Sequence, residues 1–86
     1  MPTLRFTTAR RLDKSAAAEL TSIYESSFAP DEREPADVLL KSIEGDDRVC
    51  FLAQLDETVL AFAIVFILPS RIRFLEYFAV DAAHRN

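Results

Sequence analysis

The sequence predicts an α+β fold in which one strand and two helices are followed by three antiparallel strands. Apolar residues recur at helical spacing in two stretches of the first half. Strand-like apolar segments fill the second half, separated by the two-residue links Asp56-Glu57 and Pro69-Ser70. Links this short join neighbouring antiparallel strands, so the last three strands should form a meander.

The chain begins with a predicted strand at residues 3–8, where Leu4 and Phe6 alternate with polar neighbours. A helix is predicted at residues 13–28, with Asp13 as its N-cap. Its apolar positions recur every three or four residues, at Leu20, Ile23, Tyr24 and Phe28. We therefore expect Tyr24 and Phe28 to face the core.

A second helix is predicted at residues 35–44. Pro35 suits its first turn, where a missing N–H costs nothing. The apolar positions are Ala36, Leu39, Leu40 and Ile43. Gly45 is the one glycine of the chain and follows directly, so we expect it at the left-handed position after the helix.

Three strands complete the predicted fold. The middle strand is apolar on both of its faces between Val59 and Leu68, so both faces should be covered. Two short helices can cover one face only, so we expect a further segment or a second chain on the other. The three predicted strands are residues 48–55, 58–68 and 71–80.

Composition excludes several function classes. Fourteen acidic residues against ten basic ones give a net charge of −4, which argues against binding nucleic acid through its phosphates. The longest apolar run has about half of the roughly twenty residues needed for a membrane-spanning helix. Cys50 is the single cysteine, and the N-terminus lacks the apolar segment of a signal peptide. We expect a cytoplasmic protein.

The last twelve residues, Leu75 to Asn86, resemble the fourth strand of the GNAT acetyltransferase superfamily and the start of its cofactor motif. In that motif Gln or Arg is followed by two variable residues, Gly, a variable residue, and Gly or Ala. Arg85 and Asn86 match its first two positions, and the glycines are not among these 86 residues. The order of elements is also similar to the N-terminal half of the GNAT acyl-CoA N-acyltransferase fold.

The resemblance implies transfer of an acetyl group from acetyl-CoA to a primary amine by direct attack. It implies that the main chain of Phe78, Ala79 and Val80 binds the acetyl and pantetheine groups, and that Arg85 and Asn86 begin the pyrophosphate loop. Glu76 is the candidate general base, and strand alternation places it on the same face as Phe78 and Val80. Alternatively, Glu76 is a solvated carboxylate that pairs with Arg71 or Arg73.

The acidic loop between the two helices is the candidate acceptor-binding region, because it resembles a loop of a bacterial GNAT subgroup that borders this site. Its carboxylates are Asp31, Glu32 and Glu34. They favour a cationic acceptor, a small-molecule or peptide amine, although such a loop can also be merely solvated. Cys50 is most simply a buried apolar residue, His84 a surface residue, and no residue spacing indicates a metal site.

Two functional hypotheses follow. In the first, the protein is an N-acetyltransferase, and these 86 residues alone are expected to be inactive because they lack the glycine-rich pyrophosphate loop. In the second, the chain is a non-catalytic interaction module that forms a homodimer or joins a complementing C-terminal half. The apolar middle strand motivates the second hypothesis.

Overall fold

The computed structural model describes residues 3–70 and 72–84 and confirms the predicted α+β class. The elements are, in chain order, β1 (Leu4–Ala9), α1 (Lys14–Ser27), α2 (Ala36–Ser42), β2 (Arg48–Leu55), β3 (Thr58–Ile67) and β4 (Arg73–Val80). Single 3-10 turns lie at Pro30–Glu32 and Ala82–His84. Most element ends lie within one or two residues of the predicted positions.

One antiparallel sheet contains all four strands in the order β1-β2-β3-β4. Two irregularities interrupt its pairing. Val59 lies opposite Gln54 and Ala61 opposite Ala53, so Leu60 is an extra residue in β3. Ile64 lies opposite Tyr77 and Val65 opposite Leu75, so Glu76 is an extra residue in β4. Each extra residue forms a β-bulge, which changes the alternation of side chains along its strand.

A side chain caps the start of α1, whereas main-chain hydrogen bonds close the end of α2. Asp13 caps α1 as expected, because its Oδ1 accepts a hydrogen bond from the Ala16 N–H at 2.7 Å. The expected left-handed glycine after α2 is wrong, since Gly45 has no positive φ. Glu44 and Gly45 instead donate to the carbonyls three residues earlier, which satisfies these groups without a left-handed residue. No helix in residues 3–70 and 72–84 is long and apolar enough to cross a membrane.

The core lies between the two helices and one side of the sheet. Tyr24 and Leu39 of the helices are fully buried against Phe62 and Ile64 of β3. Ala79 brings β4 into the same cluster. The other buried members are Ala16, Leu20, Ile23, Ile43, Cys50, Leu52 and Val59. Phe28 packs against this cluster and is only half-buried.

The opposite side of the sheet is apolar and is not covered by either helix. Strand alternation and cross-strand pairing assign its side chains, because each lies next to a residue that faces the helices. Phe6 is 74 % exposed and Phe78 is 61 % exposed. We call this side the open face: Leu4, Phe6, Thr8, Val49, Phe51, Ala53, Leu55, Ala61, Ala63, Val65, Ile67, Arg73, Leu75, Phe78 and Val80.

Candidate active site

Two tyrosines fix the acidic loop to the helices and the sheet. The Tyr24 hydroxyl donates to the Glu34 carbonyl at 2.8 Å, and the Glu34 N–H donates to the Tyr77 hydroxyl at 3.4 Å. Burial raises the pKa of Tyr24, so its hydroxyl keeps the proton that it donates. Because both contacts involve the main chain of Glu34, the path of the loop depends on the tyrosines rather than on the Glu34 side chain.

The Tyr77 ring packs edge to face against both Tyr24 and Phe28 beside the loop. Their centroids are 5.1 Å apart for the tyrosine pair and 5.2 Å apart for Phe28 and Tyr77. The Arg33 guanidinium lies over the Tyr24 ring, 6.0 Å from its centroid. These contacts give the loop a rigid aromatic base, because edge-to-face pairs add to the energy of simple burial.

The three loop carboxylates have different environments. Asp31 and Glu32 lie in the 3-10 turn and are exposed to solvent. The Glu34 side chain turns toward the sheet, where both of its oxygens accept hydrogen bonds from Arg48. Glu34 is therefore occupied within the protein, while Asp31 and Glu32 remain accessible to a ligand.

Arg48, at the start of β2, uses all five of its N–H groups. Its Nε and Nη2 donate to the two Glu76 oxygens, at 2.7 and 3.0 Å. Its Nη1 and Nη2 donate to Glu34, and Nη1 also donates to the Ser42 hydroxyl at 2.7 Å. The hydrogen bonds to Glu34 are the largest of the effects that raise the Arg48 pKa. The Arg48 side chain is 13 % exposed, so these ion pairs are partly shielded from water.

Glu76 points toward the helices and not toward Phe78. Phe78 and Val80 belong to the open face, so the expectation that Glu76 shares their face is wrong. The bulge is the physical reason, because the extra residue resets the alternation of β4 at Glu76. The carboxylate is 22 % exposed and binds Arg48 through both oxygens. To accept a proton from a substrate, it must give up part of that contact.

Glu76 forms an ion pair with Arg48, on a strand that is not its neighbour. The Arg48 guanidinium crosses β3 above the Phe66 ring, 6.0 Å from the centroid, to reach β4. Arg71 lies outside the described residues, and Arg73 makes interactions of its own.

The main chain at the end of β4 borders an open cavity of about 330 Å³. Phe78, Ala79 and Val80 form one wall, and Ser27 and Phe28 at the end of α1 form the other. β4 is an outer strand of the sheet, so every second N–H and C=O of its main chain points away from β3. This combination of a cavity and outward main-chain groups suits an extended amide-containing ligand.

The other residues that the sequence singles out are Cys50, His84, Arg85 and Asn86. Cys50 is fully buried, and burial raises the pKa of its thiol to about 12, so it is not a nucleophile at neutral pH. His84 ends the last 3-10 turn. The predicted cofactor residues Arg85 and Asn86 lie outside the described residues.

Sequence reasoning missed Arg48 and Tyr77. A signal was present for Arg48, because it shares strand parity with the buried Cys50 and Leu52. A charged residue at such a position requires a partner. Its partners are 14 and 28 residues away along the chain, so no local pattern identifies them.

Residues 17–86 match the model of the acetyltransferase (GNAT) family. The matched range includes the acidic loop, Arg48, Glu76 and the end of β4. No curated protein and no solved structure matches the chain.

Proposed function

Because the chain belongs to the acetyltransferase (GNAT) family, we propose that it takes part in transferring an acetyl group from acetyl-CoA to a primary amine. The family match over residues 17–86 carries this proposal. In the transfer, the amine nitrogen bonds to the thioester carbonyl carbon, the C–S bond breaks, and the amine proton passes to a base. The sulfur leaves with the electron pair of the broken bond.

The cavity at the end of β4 supports a role in holding the thioester end of the donor. The outward main-chain N–H of Phe78 would donate to the carbonyl oxygen and stabilise negative charge on it. The outward carbonyls would accept from the pantetheine amides. Because main-chain groups do this, the side chains of Phe78, Ala79 and Val80 affect it mainly through shape.

The described residues offer fewer contacts to the pyrophosphate end of the donor than to its thioester end. Phosphate binding by main-chain N–H groups favours glycine, and the single glycine of these 86 residues, Gly45, lies in the turn after α2. The resemblance assigns Arg85 and Asn86 to this end. We expect the 86-residue chain to bind acetyl-CoA weakly and to be inactive alone.

The acceptor side is the acidic loop, and two of its carboxylates support a cationic amine as the substrate class. Asp31 and Glu32 are exposed and would attract an ammonium group of a small molecule or peptide. Glu34 has a supporting role, because its side chain binds Arg48. Glu76 would accept the amine proton, directly or through a water, after loosening its contact with Arg48.

Titration of the ¹⁵N-labelled chain with S-acetylpantetheine tests the donor site by NMR. This probe carries the thioester and both amides and lacks the pyrophosphate. We expect millimolar binding that shifts the amide signals of residues 78–80 and of Ser27 and Phe28. Acetyl-CoA should bind with an affinity similar to that of S-acetylpantetheine, because its pyrophosphate adds little binding energy in this chain.

Pantetheine without the acetyl group is the matched control, and it should shift the same amides less at residues 78–80. A complete lack of shifts at the end of β4 with both thioesters would contradict the proposed donor site. Micromolar binding of acetyl-CoA would instead overturn the expectation that these 86 residues bind it weakly.

A further inference from the structure

Glu34 and Glu76 both bind the Arg48 guanidinium, and one of its nitrogens is shared between them. Arg48 Nη2 donates to Glu34 at 2.5 Å and to Glu76 at 3.0 Å. Nη1 donates to Glu34 at 3.2 Å and also to the Ser42 hydroxyl, whereas Nε donates to Glu76 at 2.7 Å. Each carboxylate therefore accepts two charge-assisted hydrogen bonds from the same cation.

The position of Glu34 is fixed by groups outside this cluster. Its main-chain carbonyl accepts from the Tyr24 hydroxyl at 2.8 Å, and its N–H donates to the Tyr77 hydroxyl at 3.4 Å. Neither contact involves the Glu76 side chain. We therefore expect Glu34 to stay in place when the charge of Glu76 changes.

The charge of the cluster changes when Glu76 accepts a proton, and Glu34 determines the final charge. In the transfer proposed above, an amine proton passes to a Glu76 carboxylate oxygen, which becomes part of a neutral carboxyl group. With Glu34 present, the cluster goes from one excess negative charge to neutral. Without Glu34, it would go from neutral to one excess positive charge on Arg48, which is 13 % exposed and lies over the Phe66 ring. An unpaired charge at such a shielded position is strongly destabilising.

We propose that Glu34 is a positioning residue for the base, because it retains the Arg48 guanidinium when Glu76 becomes neutral. Before the transfer, both carboxylates bind Arg48 and Glu76 is held in place. On proton transfer, the Nε and Nη2 contacts to Glu76 weaken, and the Nη1 and Nη2 contacts to Glu34 remain. The proposal rests on the proposed function, because it takes Glu76 as the base.

Glu76→Gln imitates the protonated base, because an amide is neutral and similar in shape to a carboxyl group. ¹⁵N NMR of the Arg48 side chain reports which of its N–H groups are held. In this variant, we expect the Nε–H to exchange with water at least about fivefold faster, because its acceptor loses the charge. Rotation of the Nη groups should stay hindered, because Glu34 still binds both of them. Glu34→Gln should do the reverse and free Nη1 while Nε stays protected.

Urea denaturation of the two single variants and of the double variant measures the same effect as stability. Each single variant keeps one carboxylate on Arg48, so each should raise the equilibrium constant for unfolding by less than about tenfold. The double variant removes both carboxylates and should raise this constant at least about tenfold more than the product of the single effects. Where the double variant is unfolded in water, the Arg48 signals of Glu76→Gln decide alone.

Glu44→Gln is the matched control for the loss of an acidic side chain. Glu44 pairs with Arg11 at 3.9 Å, a different cation from Arg48, so combining Glu44→Gln with Glu76→Gln should give the product of their single effects. The proposal is overturned if the Glu34 and Glu76 effects also multiply, if either single variant does not fold, or if Glu76→Gln frees the whole guanidinium. None of these outcomes concerns donor binding, which the titration with S-acetylpantetheine tests separately.

Discussion

Arg48 joins two strands, a loop and a helix through one side chain. Its partners Glu34 and Glu76 come from opposite ends of the candidate site, and Ser42 comes from α2. Two carboxylates share one guanidinium, so the cluster has one negative charge in excess. A substitution here therefore disturbs packing and charge together.

Replacing Arg48 by Met should lower the free energy of unfolding by about 2–4 kcal/mol, because it leaves Glu34 and Glu76 half-buried without a partner. Arg48→Lys should recover part of this loss, since an ammonium has three donors and no planar fork. Urea denaturation measures both. Arg10→Met is the control, because the Arg10–Asp46 pair is exposed and should contribute less than about 1 kcal/mol. Equal losses for Arg48→Met and Arg10→Met would show that the cluster does not stabilise the fold.

Cys50 should make the protein sensitive to alkali. Its thiol has a pKa of about 12 when folded and an ordinary value of 9.0, so the folded state holds the proton more tightly. The protonated thiol contributes fully to the free energy of unfolding below about pH 9. This contribution is lost as pH rises toward 12, at about 1.4 kcal/mol per pH unit. Urea denaturation at pH 8, 9 and 10 measures this slope. Cys50→Ala should be less stable at pH 8 and should have a flatter slope between pH 9 and 10; an unchanged slope would assign the sensitivity to another group.

At the scale of elements, the turn of the β2–β3 hairpin has backbone strain because two residues other than glycine have a positive φ. Asp56 and Glu57 have φ values of 53° and 91°, in the region that favours glycine. Asp56 is compensated because its Oδ1 accepts from the Thr3 N–H at 2.9 Å. Glu57 has no comparable contact through its side chain in the described part of the chain.

Glu57→Gly should therefore raise the free energy of unfolding by about 0.5–1 kcal/mol, because glycine adopts a positive φ without steric cost. Thermal denaturation followed by circular dichroism measures the change. Glu57→Ala removes the same charge but keeps the Cβ atom, so it should give no gain. If both variants were stabilised equally, the cause would be charge and not backbone strain.

The N-cap of α1 gives a second prediction for an element. Asp13→Ala should cost about 1 kcal/mol of stability, because the Ala16 N–H loses its acceptor. Asp13→Asn keeps a side-chain oxygen and should cost much less. Guanidinium denaturation of the three proteins measures this order, which would be contradicted if Asn were as destabilising as Ala.

Element order and type could be predicted from the sequence because they depend on local periodicity. Apolar residues recur every three to four positions in the helices. The two-residue links allow only a meander for the last three strands. The bulge at Glu76 could not be predicted, because one extra residue in a strand leaves no trace in an apolar pattern. For the same reason the candidate base was assigned to the wrong face. The end of α2 differs from the predicted left-handed glycine because a turn of residues with negative φ also provides donors for the helix carbonyls.

At the scale of the whole molecule, all of the packing energy between helices and sheet comes from one side of the sheet. Phe62 lies at the centre of that side, 2 % exposed and edge to face with Tyr24. A domain of this length has a stability of roughly 4–13 kcal/mol. A single large cavity in the core therefore removes a substantial part of it.

Phe62→Ala should cost about 3–5 kcal/mol and leave a measurable unfolded fraction at 37 °C. Phe74→Ala is the matched control, because Phe74 is on β4 and is 59 % exposed; it should cost less than about 1 kcal/mol. Chemical denaturation of both variants measures the difference. Similar losses for the two would mean that the core does not depend on Phe62.

The bulge in β4 also makes Glu76 a residue that the ladder itself does not use. Leu75 and Tyr77 are paired with consecutive residues of β3, so a chain shortened by Glu76 alone would keep every other partner of the strand and gain a regular ladder. Such a shortened strand would lack only the carboxylate that meets Arg48. β4 thus contains one residue that strand pairing does not require, and that residue carries the carboxylate that binds Arg48.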